Sequence, residues 1–561
     1  MIGKKIINII LTIIILQSIF ASVSGLNLKT NDPNLKLLEK YFNINREGID
    51  KSYYSANDKS FNSNNDFSKY LTLNPAVKTW KRNFGWGGWD YARYVVQTKD
   101  EGYALIGDTE SWREDDWEDV YVVKTDEYGD EIWNKTFGEP GSERDWGCSI
   151  QQTHDGGFIL VGMKGSLFGT WMDLWMIKVD SYGNKEWDHC FLEKDFEWGN
   201  HVIQIDDGGY VVIGRRERTI EADSDAWLIR TDELGNTLWM NTFGGHDWDN
   251  GYCVIQTNDN GFMITGYTCS FGSGSRDLWL IKTNENGEEL WNKTYGGVER
   301  DTGASVLQTK DGGYIITGST ESFGAGDLDL WLIKTDEKGN IKLNQTFGGA
   351  GYDSGRSIHN TFDGGYILTG VLNGHYRDED SDMLLIKTDE DGHIQWNKII
   401  GGNKYDDGKS VQTTKDGGYI IAGETWSYSA GSGDVWLVKT DENGEISNPP
   451  KNLSIDGEKI GRRGKEYELS LYSEDPENEN IFYHINWDDD TVEKHGPYKS
   501  GEMVTVKHTW LKQGNFEIKV KARDIHGSEG DWAILKIRME KTNQFINRKN
   551  FRLFIRLNSF Y

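Results

Sequence analysis

The sequence predicts an all-β protein: a seven-bladed β-propeller of four-stranded blades, with a second, non-repeating β domain behind it. Three observations predict this. A motif close to G-x-S-V-x-Q-T-x-D-G-G-Y-I-I-x-G, then D-L-W-L-I-K-T-D-E-x-G-N, then L-W-N-K-T-F-G-G returns seven times between Trp80 and residue 446. The aspartate that opens its D-G-G turn stands at Asp100, Asp155, Asp207, Asp259, Asp311, Asp363 and Asp416, in steps of 52 to 55 residues. Self-similarity at such a period marks propellers and solenoids. Within each unit, β-branched and aromatic runs are punctuated by Gly, Asp and Asn, giving four short strands per period.

The elements follow in order. Residues 1–25 read as a signal peptide, because Lys4 and Lys5 precede an apolar run that ends in Ser22, Ser24 and Gly25. An uncleaved anchor is the other reading of the same segment. Residues 26–76, rich in Asn, Ser, Lys and Asp, read as a disordered linker or stalk with one short helix at 35–42. The propeller occupies residues 77–446. In its fifth unit the expected strands are 304–309, 314–320, 329–336 and 341–347, and the first two are joined by the tight turn Asp311-Gly312-Gly313. The seventh unit lacks its last strand, yet an unpaired copy, Lys78-Thr79-Trp80-Lys81-Arg82-Asn83-Phe84, precedes the first. That copy is expected to complete the last blade, removing two open sheet edges at once.

A net charge of −28, with 66 Gly beside 7 Pro, fits a soluble, turn-rich β protein and argues against a nucleic-acid binder, which would show a basic face. Cys148, Cys190, Cys253 and Cys269 show no C-x-x-C spacing, so neither zinc nor redox chemistry is indicated and free or loosely paired thiols are expected.

After Pro449-Pro450 the repeat stops. Residues 467–471, Asp475-Pro476, the run from Tyr483 to Thr491, His508-Thr509-Trp510, Gly514-Asn515-Phe516 and residues 520–524 resemble a PKD-type, immunoglobulin-like β-sandwich over 451–540. Where that family has W-G-D-G, this chain has Trp487-Asp488-Asp489-Asp490, so a looser turn is expected. Residues 541–561 form a basic aromatic tail, read either as a membrane-surface element or as a frayed terminus.

The F-G-G and D-G-G-Y elements, as in Phe243-Gly244-Gly245 and Asp259-Asn260-Gly261-Phe262, resemble propeller repeats of secreted and surface proteins of archaea and bacteria. The resemblance covers about two-thirds of the chain and implies an interaction or adhesion module at the cell surface. Thr231 to Trp239 is similar to the Asp box of sialidases, but the Asp comes one position early and the Trp one late. No G-x-S-x-G, H-E-x-x-H or phosphate loop is present. A non-enzymatic protein that binds a surface protein or glycan is therefore expected. The alternative is a polysaccharide-active hydrolase or lyase, or a lectin. Nothing in the sequence fixes the oligomeric state, and membrane contact would run only through an uncleaved leader or the tail.

Two acidic sets recur. Asp90, Asp145, Glu197, Asp249, Asp301, Asp353 and Asp406 precede the first strand of each unit; Asp119, Asp173, Asp225, Asp277, Asp329, Asp382 and Asp434 open the third. The first set could hold a structural calcium, and no other cofactor is expected, since hard cations take oxygen ligands. Loop capping in each blade explains a residue repeated seven times more simply. Residues that break the repeat are the better place for a ligand: Trp86, Trp89, Trp112, Trp117, Trp146, Trp198 and Trp248 gather in the first half, on the face that carries the F-G-G connections and the variable loops. Asn134, Asn292, Asn344 and Asn452 lie in N-x-T or N-x-S sequons and are the expected glycosylation sites.

Overall fold

The computed structural model describes residues 77–541 except 86, 112–117, 139–143, 166–171, 192–195, 219–222, 374–380 and 430. The leader, the stalk with its helix, the tail beyond 541, and Trp86, Trp112 and Trp117 lie outside the described residues. Those described hold strands and no helix.

Seven four-stranded antiparallel sheets follow one another along the chain, the first six each built from consecutive hairpins. The first comprises Asp90–Gln97, Tyr103–Thr109, Asp119–Thr125 and Glu131–Phe137. The fifth comprises Asp301–Gln308, Tyr314–Thr320, Asp329–Thr335 and Ile341–Phe347. Its first strand begins three residues earlier than expected, because Asp301 and Gly303, which read as loop punctuation, are already paired with Thr320 and Gly318. The D-G-G turn closes through Gly312 N–H to the Thr309 carbonyl at 3.0 Å, with Gly312 at φ +83°. The seventh sheet takes Asp406–Thr413, Tyr419–Thr425 and Asp434–Thr440 from the end of the array and Trp80–Phe84 from its beginning. Trp80 stands opposite Lys439 and Phe84 opposite Val435.

The burial pattern follows from how the sheets stack. Second and third strands are buried at nearly every position, as in Asp277–Thr283, because both faces pack on a neighbouring sheet; fourth strands alternate, as in Ile341–Phe347. Separate apolar cores lie between each consecutive pair of sheets. A further core joins Trp80, Ile420, Ala422, Val435 and Leu437 to Ala92, Val95, Tyr103, Leu105, Tyr121 and Val123, and so lies between the seventh sheet and the first. The fourth-strand tryptophans serve these junctions. Trp133, Trp239, Trp291 and Trp396 each meet the aromatic residue that opens the second strand of the next sheet, at ring separations of 6.0, 6.1, 6.2 and 6.0 Å. Trp80 does the same with Tyr103 at 5.6 Å.

Residues 451–540 form a three-stranded sheet, of Lys451–Gly457, Tyr467–Glu474 and Val504–His508, and a five-stranded one. Their inward residues share one core around Trp487 and Trp510, with the period-two burial of half-exposed strands. The turn after Trp487 is not loose. Asp488 and Asp490 adopt φ of +60° and +71°, and Trp487 N–H reaches the Thr491 carbonyl at 3.1 Å, so aspartate, which tolerates the left-handed region, does what glycine was expected to do.

This second domain docks on the strand Trp80–Phe84. Thr79 N–H donates to the His526 carbonyl at 3.0 Å, and the Ser447 and Ser528 hydroxyls meet at 2.9 Å. Arg523 joins Asp130 to Glu529, and Arg82 lies 3.5 Å from Glu529. Burial alone would raise the Glu529 carboxyl, but Arg82, Arg523 and Lys521 around it hold it at about 2 against an ordinary 4.5. A carboxyl depressed in the folded state stabilises above its unfolded pKa, and that contribution fades as pH falls from 4.5 to 2. Glu529→Gln should therefore cost on the order of 3 kcal/mol at pH 7 and little at pH 2.5. Urea midpoints at the two pH values check this, and an equal cost at both would show that the charge is not what matters.

Candidate functional site

The repeat-constant residues are occupied in structural roles. The Thr320 hydroxyl donates to Asp301, as do Ser322 Oγ at 2.6 Å and Gly297 N–H at 2.9 Å. Asp249 and Asp406 repeat the pattern, Asp90 takes Thr109 and Ser111, Asp145 takes Gly165 N–H, and Asp353 takes Gly349 and Asn373 N–H. Asp90, Asp145, Glu197, Asp249, Asp301, Asp353 and Asp406 are all fully buried. The seven do not converge: among the described residues, no group of three or more His, Cys, Asp or Glu is placed to share a metal ion. The two acidic sets instead meet in pairs. A Cβ on Gly296 would overlap the carboxylates of both Asp277 and Asp301, and the same juxtaposition recurs at Gly85, Gly138, Gly244, Gly348 and Gly401. The F-G-G glycine is thus fixed by the close approach of two carboxylates.

The third-strand cations tie their strand to the D-G-G turn, as in Lys282–Asp259 at 3.0 Å and Lys387–Asp363 at 2.9 Å. The fifth sheet departs from this, with Asp311 on Lys342 at 2.9 Å and Lys334 on the Glu390 carbonyl at 2.6 Å. A cavity of about 590 Å³ opens there, lined by these turn residues.

The sequons also have a repeat-based role. Trp331 Nε1–H donates to Asn344 Oδ1 at 2.6 Å and Trp279 Nε1–H to Asn292 at 3.3 Å. Asn292, Asn344 and Asn452 are exposed and Asn134 is half-buried. All four cysteines are free, and burial pushes the Cys148 and Cys253 thiols up to about 11.

The four described tryptophans of the predicted ligand face are only partly exposed. Trp89 is half-buried against Trp426 at 4.9 Å. Trp146 is half-buried, lies 5.2 Å from the Arg93 guanidinium and donates to Glu118 at 2.7 Å. Trp198 and Trp248 flank Arg215 at 3.6 and 5.2 Å, and Trp248, 39% exposed, is the most open of the four.

What the sequence did not single out is the residue three positions after each first-set acid: Arg93, Cys148, Asn200, Tyr252, Ala304, Arg356 and Lys409. In every sheet the pairing of first and second strands slips at this residue, a β-bulge that leaves it opposite no partner. Bulges re-aim side chains. Their cause is local: a glycine in each second strand, such as Gly370, admits the carbonyl of the facing first strand where a Cβ would collide with it.

Five of the seven bulge residues, Arg93, Tyr252, Ala304, Arg356 and Lys409, line one cavity of about 460 Å³, together with Arg276, Arg300 and Tyr352. Glu321 and Leu328, from the loop after a second strand, complete its rim on the side of the F-G-G connections. Residues of the first, fourth, fifth, sixth and seventh sheets thus face a common space. One position deeper, a belt of side chains links neighbouring sheets: Ser149 Oγ, His201 Nδ1, Ser357 Oγ and Ser410 Oγ accept the amides of Val202, Val254, Val411 and Val95 at 3.2–3.4 Å.

The cavity is electrostatically distinct in so acidic a chain. Arg93 Nε lies 3.0 Å from Asp108. Lys409 contacts the fully buried Asp407, and Arg356 reaches the same carboxylate at 3.9 Å. Burial alone would raise Asp407, but Lys409 and Arg356, with the Tyr405 hydroxyl at 3.0 Å, hold it below its ordinary value, while burial pulls Lys409 down. Burial pushes the Tyr252 phenol up to about 12 and the His201 imidazole down to about 4, so both are neutral at pH 7. The signal was present in the sequence: within the Asp/Glu-x-Gly/Ala-x start of the first strand, the last position changes its chemistry from unit to unit.

No family model matches the chain. The regulatory protein FlaEY of Caulobacter vibrioides is 21% identical over 350 residues, covering 55% of this chain and 35% of that protein, so the chain spans about a third of its relative's length. The PKD domain of an M14-like peptidase from a Thermoplasmatales archaeon is 37% identical over 17% of this chain and 98% of that chain, with a TM-score of 0.16. The PKD domain of human SorCS2 is 17% identical over 17% of this chain and 79% of that chain, with a TM-score of 0.14.

Proposed function

We propose that this is an exported cell-surface binding protein, a seven-bladed propeller joined to a PKD-type sandwich, which holds a surface glycan or protein at the face of the F-G-G connections. The propeller reading is supported by the apolar core between the seventh and first sheets, and by Trp80, which repeats for the first sheet what Trp133 does for the second. The binding reading rests on one observation: the residue that varies among the seven units lines the cavity on that face, whereas the constant residues are engaged in caps, turns and cores. Binding fits better than turnover. Among the described residues Glu321 is the one carboxylic side chain lining the cavity, whereas glycoside hydrolysis uses a facing pair, and a phenol at about 12 is a poor base at neutral pH.

Displayed against arrays of glycans and of purified surface proteins, the full chain should show saturable binding that Trp248→Ala weakens at least tenfold without moving the melting curve. Binding untouched by Trp248→Ala and Arg215→Ala would place the ligand elsewhere. Release of reducing ends from a bound polysaccharide would favour the enzymatic alternative.

A further inference from the structure

Resting on that reading, we infer that the cavity of Arg93, Tyr252, Arg356 and Lys409 receives the carboxylate of an acidic sugar, a uronate unit of a polysaccharide.

The argument begins with charge. In a chain of net charge −28, five cationic side chains around one space, with Glu321 as the single lining carboxylate among the described residues, are a departure from the molecule's own background. Part of that charge is neutralised from behind. Asp108 holds Arg93, and the buried Asp407 and Glu424 stand beside Lys409 and Arg356. The neutralisation is incomplete. Lys409 and Arg356 share Asp407; Arg356 approaches it only at 3.9 Å, and its side chain stays 36% exposed. Arg276 lies over the Tyr267 ring at 4.0 Å and, among the described residues, forms no ion pair. A planar carboxylate presented from the cavity would meet the open side of the guanidinium in the two-pronged geometry it favours.

The rest of the wall selects a sugar. Tyr252 and Tyr352 line the cavity, and outside that lining Trp248, 39% exposed, stands beside Arg215, which lies within electrostatic reach of Tyr252. These rings offer apolar faces of the kind on which the C–H face of a pyranose packs. A volume of about 460 Å³ lies within the span of about 300–1,000 Å³ usual for small-molecule sites and accommodates one or two sugar units.

The test is calorimetric titration of the full chain with a galacturonate trisaccharide, its methyl ester, and a neutral galactose trisaccharide with and without a sulfate ester. The free acid should bind at least tenfold more tightly than the ester or the neutral sugar. Arg356→Gln should remove at least tenfold of that affinity and Arg356→Lys should restore part of it, both with an unchanged melting temperature, because Lys409 still covers Asp407. Equal affinity for acid and ester, or an unchanged Kd in Arg356→Gln, overturns the inference, and preference for the sulfate ester overturns the carboxylate assignment. If the acidic sugar fails while Trp248→Ala still abolishes capture on the arrays, this inference falls and the proposed binding face stands.

Discussion

Trp80→Ala should lower the stability of the repeat domain by about 3–5 kcal/mol, the cost of emptying a fully buried tryptophan site. The indole packs edge-on against Tyr103 at 5.6 Å, and its Nε1–H donates to the Glu127 carbonyl at 3.3 Å. Only the first sheet and the seventh meet in that core, so the loss falls where the two ends of the array are held together. Removing residues 77–84 goes further, since it exposes the edge of Asp434–Thr440 and takes away the surface on which the second domain docks. Differential scanning calorimetry of Trp80→Ala beside Trp133→Ala is the measurement. A Trp80→Ala cost below about 1 kcal/mol would mean that this strand does not hold the array together.

The second large effect is expected at Gly370. A Cβ there would overlap the Ser354 carbonyl, a backbone atom that cannot rotate aside as a side chain can. The overlap arises because the first strand bulges at Arg356. Gly370→Ala should therefore cost about 3 kcal/mol, at the upper end of overpacking penalties, and it should also move Arg356. A useful comparison is Gly87→Ala, where a Cβ meets nothing within 4 Å. Chemical denaturation reports the stability term, and uronate titration reports the displacement of Arg356. A Gly370→Ala protein with unchanged midpoint and unchanged binding would remove the bulge from the account of the site.

Much of the fold was legible because period and punctuation are local properties. The D-G-G turns, the strand bounds at Tyr314–Thr320 and Ile341–Phe347, and the strand Trp80–Phe84 are found where the pattern places them. The start of each first strand was not, because Asp and Gly are poor strand formers and read as loop. In the folded chain Asp301 is a strand residue whose carboxylate caps the neighbouring loop, and Gly303 pairs with Gly318 across the sheet. That misreading hid the bulge, and with it the residue that matters most. The tryptophans stand out in the sequence because they are large and break the repeat, yet Trp146 and Trp198 are half-buried beside arginines. The cations were overlooked because a net charge of −28 averages over the whole surface and says nothing of one cavity.

The sequence by itself determined the units, their number, their strands, and which residues are the same in all of them, since each of these follows from backbone preference and spacing within about 50 residues. Only the tertiary structure decided that Arg93, Tyr252, Arg356 and Lys409 share one space, for they come from sheets far apart in the chain. It also decided that members of the two acidic sets meet in pairs over a glycine, as Asp277 and Asp301 do over Gly296. The physical reason is the same in both cases: spacing along the chain fixes a residue's place in its own sheet, and the packing of sheet on sheet fixes what that residue faces.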